Sequence, residues 1–328
     1  MKPPKIHAPR WLPGGHAQTI WPKLFSRLQH PEHPPVFSRE RWDTPDGDFV
    51  DCDWLREPAH GGNGPLLVLF HGLEGSSASH YSQAFASHAR KLGWAFAIPH
   101  FRGCSGELNR GPRAYHSGDF TEIGWMLAQC QARHPGPMVA VGVSLGGNAL
   151  LRWAQESGAD AAHTVRAVVA VSAPLDLAAA GDAIHQGLNR HIYTRYFLRS
   201  MVPKALRKLQ QHPGLFDEAA MRRAQSLRDF DNVFTAPVHG FRDAADYYAR
   251  CSAGPHLDAL RVPSLVLNAR NDPFVPAQSL PHRVSAGRPV TLWQPAHGGH
   301  VGFPSGRWPG TVLDLPHSVC TWLAPHLG

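Results

Sequence analysis

What this sequence is short of limits what it can be. Its five cysteines, Cys52, Cys104, Cys130, Cys251 and Cys320, are dispersed, and none forms a C-x-x-C pair. That excludes a disulfide framework and fits free thiols in a reducing compartment. No apolar run approaches the roughly 20 residues that a membrane-spanning helix needs, so no integral membrane segment is expected. The start, MKPPKIHAPRWLPGG, is basic, but Pro3, Pro4, Pro9 and Pro13 interrupt it and it lacks the apolar stretch of a secretory signal. Together these absences predict a cytoplasmic protein. Charge is also sparse, at 17% of residues, and its excess of +7 is scattered rather than gathered in a block. The densest basic stretch, Arg190 to Lys208, is interleaved with Ile192, Tyr193, Tyr196, Phe197 and Leu198. It reads as an amphipathic helix, and no nucleic-acid partner is expected. The net charge leaves open a peripheral contact with an anionic lipid surface.

What is present is an alternation. With 328 residues, 43% of them hydrophobic, the chain can bury one substantial core or one core with an inserted cap. Residues 1 to about 37 are Pro-rich and predict an irregular segment that wraps the body. Thr44-Pro45-Asp46-Gly47-Asp48 then separates two extended stretches, as in a hairpin. Apolar strands are expected at 66–70, 94–98, 138–142 and 165–171, with helices at 81–92, 119–133 and 145–156 between them. Strands alternating with helices imply an α/β protein with a mostly parallel central sheet and helices on both faces. From about 174 to 255 the alternation stops and the pattern turns helical. It resumes with strands at 263–268 and 290–293 and a last helix from about 310 to 323. The interruption predicts a helical cap inserted into a single domain spanning 1–328.

Three residues in a particular order carry the chemistry. Gly142-Val143-Ser144-Leu145-Gly146 fits the G-x-S-x-G nucleophile elbow, in which small residues let a strand turn sharply into a helix and lift the serine hydroxyl clear. The pattern alone is common; an apolar strand before it and a helix-forming run after it supply the context. A serine needs a base to take its proton, and in an α/β-hydrolase fold the order along the chain is Ser, Asp or Glu, then His. Asp272, in Asn271-Asp272-Pro273-Phe274, and His300, in His297-Gly298-Gly299-His300, both follow predicted strands. Asp176 is the alternative acid and His297 the alternative base; His300 is preferred for its later place in a Gly-rich loop. His297 and His300 as metal ligands are disfavoured, because no third ligand stands nearby. The oxyanion needs two backbone N–H groups. One is expected from Leu145, the other from Leu73 in Phe70-His71-Gly72-Leu73-Glu74-Gly75, with His71 orienting that loop.

At this point the sequence resembles the YheT-like branch of the α/β-hydrolases, a group that includes bacterial esterases, yeast ethanol acyltransferases and animal lipid hydrolases. The resemblance rests on Gly15-His16-Ala17-Gln18-Thr19, His71-Gly72-Leu73-Glu74-Gly75 and Phe101-Arg102-Gly103-Cys104-Ser105-Gly106-Glu107. It continues through Tyr115-His116-Ser117-Gly118-Asp119, Ser144-Leu145-Gly146-Gly147-Asn148, Asn271-Asp272-Pro273-Phe274 and Gly299-His300-Val301-Gly302-Phe303. Ala17 stands where relatives commonly carry Leu. The family pattern implies a triad of Ser144, Asp272 and His300. The polar stretch 100–119 either lines the substrate entrance or is bonded internally, and no catalysis is assigned to Arg102, Tyr115 or His116.

These readings converge on a carboxylic ester hydrolase that takes a small-molecule acyl ester through an acyl-enzyme and requires no metal or other cofactor. Tyr193, Tyr196, Phe197, Phe216 and Phe234 suggest an apolar pocket for short to medium acyl chains; the alternative is that they pack the insert onto the sheet. Acyl transfer to an alcohol uses the same triad and is the second reading. A catalytically inactive binding protein is the third, and the intact Ser, Asp, His order argues against it.

Overall fold

A computed structural model describes residues 6–25, 34–56 and 63–328. Among the described residues eight strands form one sheet: β1 (Phe37–Asp43), β2 (Phe49–Leu55), β3 (Leu66–Phe70), β4 (Ala95–Pro99), β5 (Met138–Val143), β6 (Val168–Val171), β7 (Ser264–Leu267) and β8 (Val290–Trp293). Their spatial order is β1-β2-β4-β3-β5-β6-β7-β8. β1 and β2 are the hairpin, closed at Thr44–Asp48, and β2 pairs antiparallel with β4; every later pair is parallel.

The five residues of β3 and the six of β5 are buried throughout, as strands covered on both faces must be. Because side chains alternate across a strand, one sheet feeds two cores. Val68, Ala140, Val168 and Val266 join α3 (Phe120–Arg133) and α4 (Leu145–Ser157) on one face. Leu67, Val139, Val169 and Leu265 join α2 (His80–Leu92) and the last helix, Asp314–Leu323, on the other. No helix among the described residues is long and apolar enough to cross a membrane. All five thiols are free and buried.

Three features depart from the sequence pattern by more than one residue. The stretch expected to be irregular contains α1 (Gly15–Phe25); residues 1–5 and 26–33 of the N-terminal segment lie outside the described residues. Its Pro22 cannot donate to the Gln18 carbonyl four residues back, and Gly302 packs there so closely that a Cβ would stand 1.9 Å from that oxygen. β6 starts at Val168, because the Val165 N–H is still engaged with the Ala161 carbonyl of the preceding short helix. The last helix starts at Asp314 instead of near 310, since Ser305 and Thr311 exchange two 2.9 Å backbone bonds and hold that stretch extended.

Between β6 and β7 the chain is helical, chiefly in Leu177–His185, Arg195–Gln211 and Ala244–Cys251. Ile184 and Tyr193 of this segment pack on Phe274 and Val275, just past β7. Phe230 and Phe234 form a smaller cluster of their own with Ala205 and Met221.

Candidate active site

The serine sits where β5 becomes α4, with φ 54° and ψ −119°. A non-glycine residue is held there only against strain. Its N–H donates to the Val171 carbonyl at 2.8 Å, and its own carbonyl accepts from Gly147 and Asn148. The neighbouring glycines are required by space. A Cβ on Gly142 would lie 2.4 Å from the Gly146 carbonyl oxygen, and one on Gly146 would lie 2.5 Å from that of His71.

His300 bridges Ser144 and Asp272. Ser144 Oγ stands 2.9 Å from His300 Nε2, and His300 Nδ1 stands 2.8 Å from Asp272 Oδ2. A carboxylate accepts only, so Nδ1 carries the proton and Nε2 presents its lone pair to the serine hydroxyl. The other Asp272 oxygen accepts from the Phe274 and Val275 N–H groups at 2.7 and 3.2 Å, which fixes the carboxylate plane. Phe274 also lies against the imidazole, with ring centroids 4.2 Å apart.

The alternative residues lie elsewhere. His297 is exposed and only approached by the Asn271 amide at 3.4 Å. Asp176 is exposed and caps the helix Leu177–His185, accepting from the Ala179 N–H at 3.0 Å.

Leu73 and Leu145 line the same cavity as Ser144 and His300. Among the described residues neither of their N–H groups has a partner; Leu145 opens α4, where helix N–H groups are left free. The Leu73 loop is fixed from several sides. Gly72 N–H donates to Tyr81 Oη at 2.9 Å, and Glu74, at φ 56°, donates its N–H to Tyr115 Oη at 3.0 Å. Tyr115 in turn donates to Glu74 Oε1 at 2.9 Å, while Glu74 Oε2 meets Lys204 at 2.9 Å and accepts from Ser200. His71 orients the loop from within: Nδ1 donates to the Gly72 carbonyl and Nε2 accepts from the Phe101 N–H. Complete burial and the nearby His100 push its pKa down to about 3, so the ring is neutral.

The N-terminal motif does more than its sequence suggested. Gln18 Oε1 accepts from Asn271 Nδ2 and from the Gly298 N–H, each at 2.9 Å, while its Nε2 donates to the Leu12 carbonyl. Thr19 Oγ1 accepts from the His300 N–H at 2.8 Å and donates to the Gly15 carbonyl. α1 therefore ties the Asp272 loop to the His300 loop. The only sequence signal for this was membership of a shared motif, since nothing local links positions 18 and 298.

The 100–119 stretch is both internally bonded and a cavity wall. Asp48 accepts from Arg110, Gly111, Asn109 and Arg102, and Arg102, Leu108 and Tyr115 line a cavity of about 610 Å³. The five aromatics divide in the same way. Phe197 lines an apolar cavity of about 700 Å³ with Ser144, Leu177, Ile184 and Val275. Tyr193 and Tyr196 face a wider mouth of about 1600 Å³. Phe216 packs edge-on against Phe234 inside the insert.

A family model described as the alpha/beta hydrolase fold matches residues 65–306. A protein of Escherichia coli strain K12 named as a candidate esterase, YheT, is 40% identical over 315 residues, covering 95% of this chain and 91% of its own. The chain belongs to the α/β-hydrolase family. Within that family, identity across nearly the whole of both chains sets it in the YheT-like branch. The mouse phospholipase ABHD3 is a more distant relative, 29% identical over 84% of this chain and 69% of its own. The solved Pyrococcus furiosus esterase Pf2001 shares the fold, with a TM-score of 0.57 at 16% identity over 90% of this chain and 94% of its own.

Proposed function

We propose that this α/β-hydrolase is a serine carboxylic ester hydrolase that cleaves short to medium chain acyl esters. The observation that carries the reading is the unbroken chain from Asp272 through His300 to Ser144, with 2.8 and 2.9 Å contacts. In the first half-reaction His300 Nε2 takes the Ser144 proton while Oγ bonds to the ester carbonyl carbon. The carbonyl π pair moves onto oxygen, which accepts hydrogen bonds from the Leu73 and Leu145 N–H groups. Collapse expels the alcohol, protonated by His300, and leaves Ser144 acylated. Water, deprotonated by His300, then adds to the acyl carbon, and the acid departs as Ser144 recovers its proton. Asp272 stays ionised throughout, holding the tautomer and stabilising the imidazolium. The apolar cavity beside Ser144 suits the acyl chain, with the helical insert as its cap.

Active-site labelling tests this reading. A fluorophosphonate should modify the folded protein at Ser144 and leave Ser144→Ala untouched; unlabelled folded wild-type protein would rule it out. Turnover of p-nitrophenyl esters should peak at an intermediate chain length. Added ethanol separates hydrolysis from acyl transfer, since an ethyl ester above background marks the transferase.

A further inference from the structure

Asp231 is a carboxylate for which the ester chemistry has no use. It opens a single π turn, Asp231–Thr235, of the kind that often marks a functional position in a helix. It lines both the apolar cavity that contains Ser144 and His300 and the second cavity that shares Leu73 and Leu145 with it. Thr235 donates its hydroxyl to Oδ1 and Tyr248 to Oδ2, both at 2.7 Å. A carboxylate has about four lone-pair positions, so two hydroxyls leave capacity unused. Among the described residues no cation forms an ion pair with it. Arg228 is engaged instead with Asp182 at 2.9 Å and lies over the Tyr248 ring. Burial pushes the Asp231 pKa up to about 6 against the pull of those hydroxyls, so the group is ionised at neutral pH.

The other charges on the second cavity's wall are matched. Lys208 donates to the Asn109 and Gly111 carbonyls, Arg102 meets Glu122, Asp46 and Asp48, and Glu74 meets Lys204. Half-buried beside Leu227 and Phe197, this carboxylate keeps acceptor positions that a donor entering the cavity can fill. A plain alkyl chain brings no such donor. A cationic ligand is disfavoured by Lys208 on the same wall, whose charge meets only carbonyl oxygens among the described residues. A neutral hydroxyl meets both conditions.

We propose that Asp231 accepts a hydrogen bond from a neutral hydroxyl carried by the substrate, so that the enzyme selects hydroxylated esters over their plain alkyl counterparts. The inference rests on the ester-hydrolase reading above. Asp231 lies where the two cavities meet, so the hydroxyl belongs either to the alcohol or to the acyl part.

Two pairs of esters separate these sources: glycerol monobutyrate against propyl butyrate, and ethyl 6-hydroxyhexanoate against ethyl hexanoate. Wild type should favour the hydroxylated member of one pair in kcat/KM. Asp231→Asn, which keeps the shape, and Asp231→Ala should lower that ratio about ten- to a hundredfold, the range for a lost hydrogen bond to a charged group. The change should lie mainly in KM, and thermal melting should show both variants folded. Unchanged ratios in both pairs would overturn the proposal, as would a preference for butyrylcholine that disappears in Asp231→Asn. Calorimetry on Ser144→Ala, with and without Asp231→Asn, reads the same preference without turnover. Loss of discrimination there supports the Asp231 role even if hydrolysis itself fails; equal binding of both members of each pair sinks it.

Discussion

Thr19 and His300 are joined by a 2.8 Å bond from the His300 N–H to Thr19 Oγ1, across 281 positions of sequence. The hydroxyl sets the backbone from which the imidazole projects, and α1 therefore reaches Ser144 through one intermediary. Thr19→Val keeps the shape and removes the acceptor. kcat should fall about tenfold with KM nearly unchanged, because a small misplacement of a catalytic group is costly in rate. Fluorophosphonate labelling should slow in parallel; loss of thermal stability alone, at full labelling rate, would mean that Thr19 only supports the fold.

Glu74 links the Leu73 loop to the helix Arg195–Gln211 through Lys204 and Ser200. Glu74→Gln keeps the backbone demand at φ 56° but weakens three side-chain contacts. The expected result is a drop of about tenfold in kcat, less than the roughly hundredfold that loss of an oxyanion donor itself costs. Lys204→Ala should lower kcat less, since Tyr115 still holds Glu74. Steady-state kinetics on the two variants gives the comparison.

Acid should unfold the protein early. His71 is held neutral with a pKa of about 3 and His116 of about 4, each chiefly by burial, whereas an unfolded imidazole titrates near 6.5. The unfolded chain therefore binds more protons than the folded one between those values. Stability is full above about pH 6.5 and falls as pH drops toward the folded values. Each ring contributes a slope of about 1.4 kcal/mol per pH unit. Urea midpoints at pH 7.5 and 5.5 should show the loss, and His116→Gln should reduce it.

Gly146→Ala should be among the most damaging small substitutions. Its methyl would stand 2.5 Å from the His71 carbonyl oxygen and 2.6 Å from that of Phe70, both rigid strand-end backbone. Overpacking of this kind costs about 1–3 kcal/mol. Gly158→Ala has open space around it and only the strain of φ 54° to bear. Chemical denaturation of both variants should therefore show the larger loss at Gly146.

The inner strands β3, β4 and β5 were legible because each is a short run without a polar side chain, and the elbow because Gly142 and Gly146 are the residues its geometry demands. Asp272 and His300 could be picked from their order after successive strands, but exposure of His297 and Asp176 is a tertiary fact. α1 was hidden by Pro22 within it and by the prolines that precede it, and the start of β6 by a helix–strand junction without a sequence mark. Gln18, Thr19 and Asp231 carried no local signal, since each acts on residues brought near only by folding.

Residue order and periodicity alone determined the alternating α/β plan, the turn at Ser144 and the choice of candidate acid and base. Those features depend on neighbours within a few positions, which the chain encodes directly. The tertiary structure decided which imidazole meets the serine, which loop Glu74 braces, and that the Asp231 carboxylate faces the cavity beside Ser144. Each of these is a contact between segments far apart in sequence, fixed only when the sheet, α1 and the β6–β7 helices close on one another.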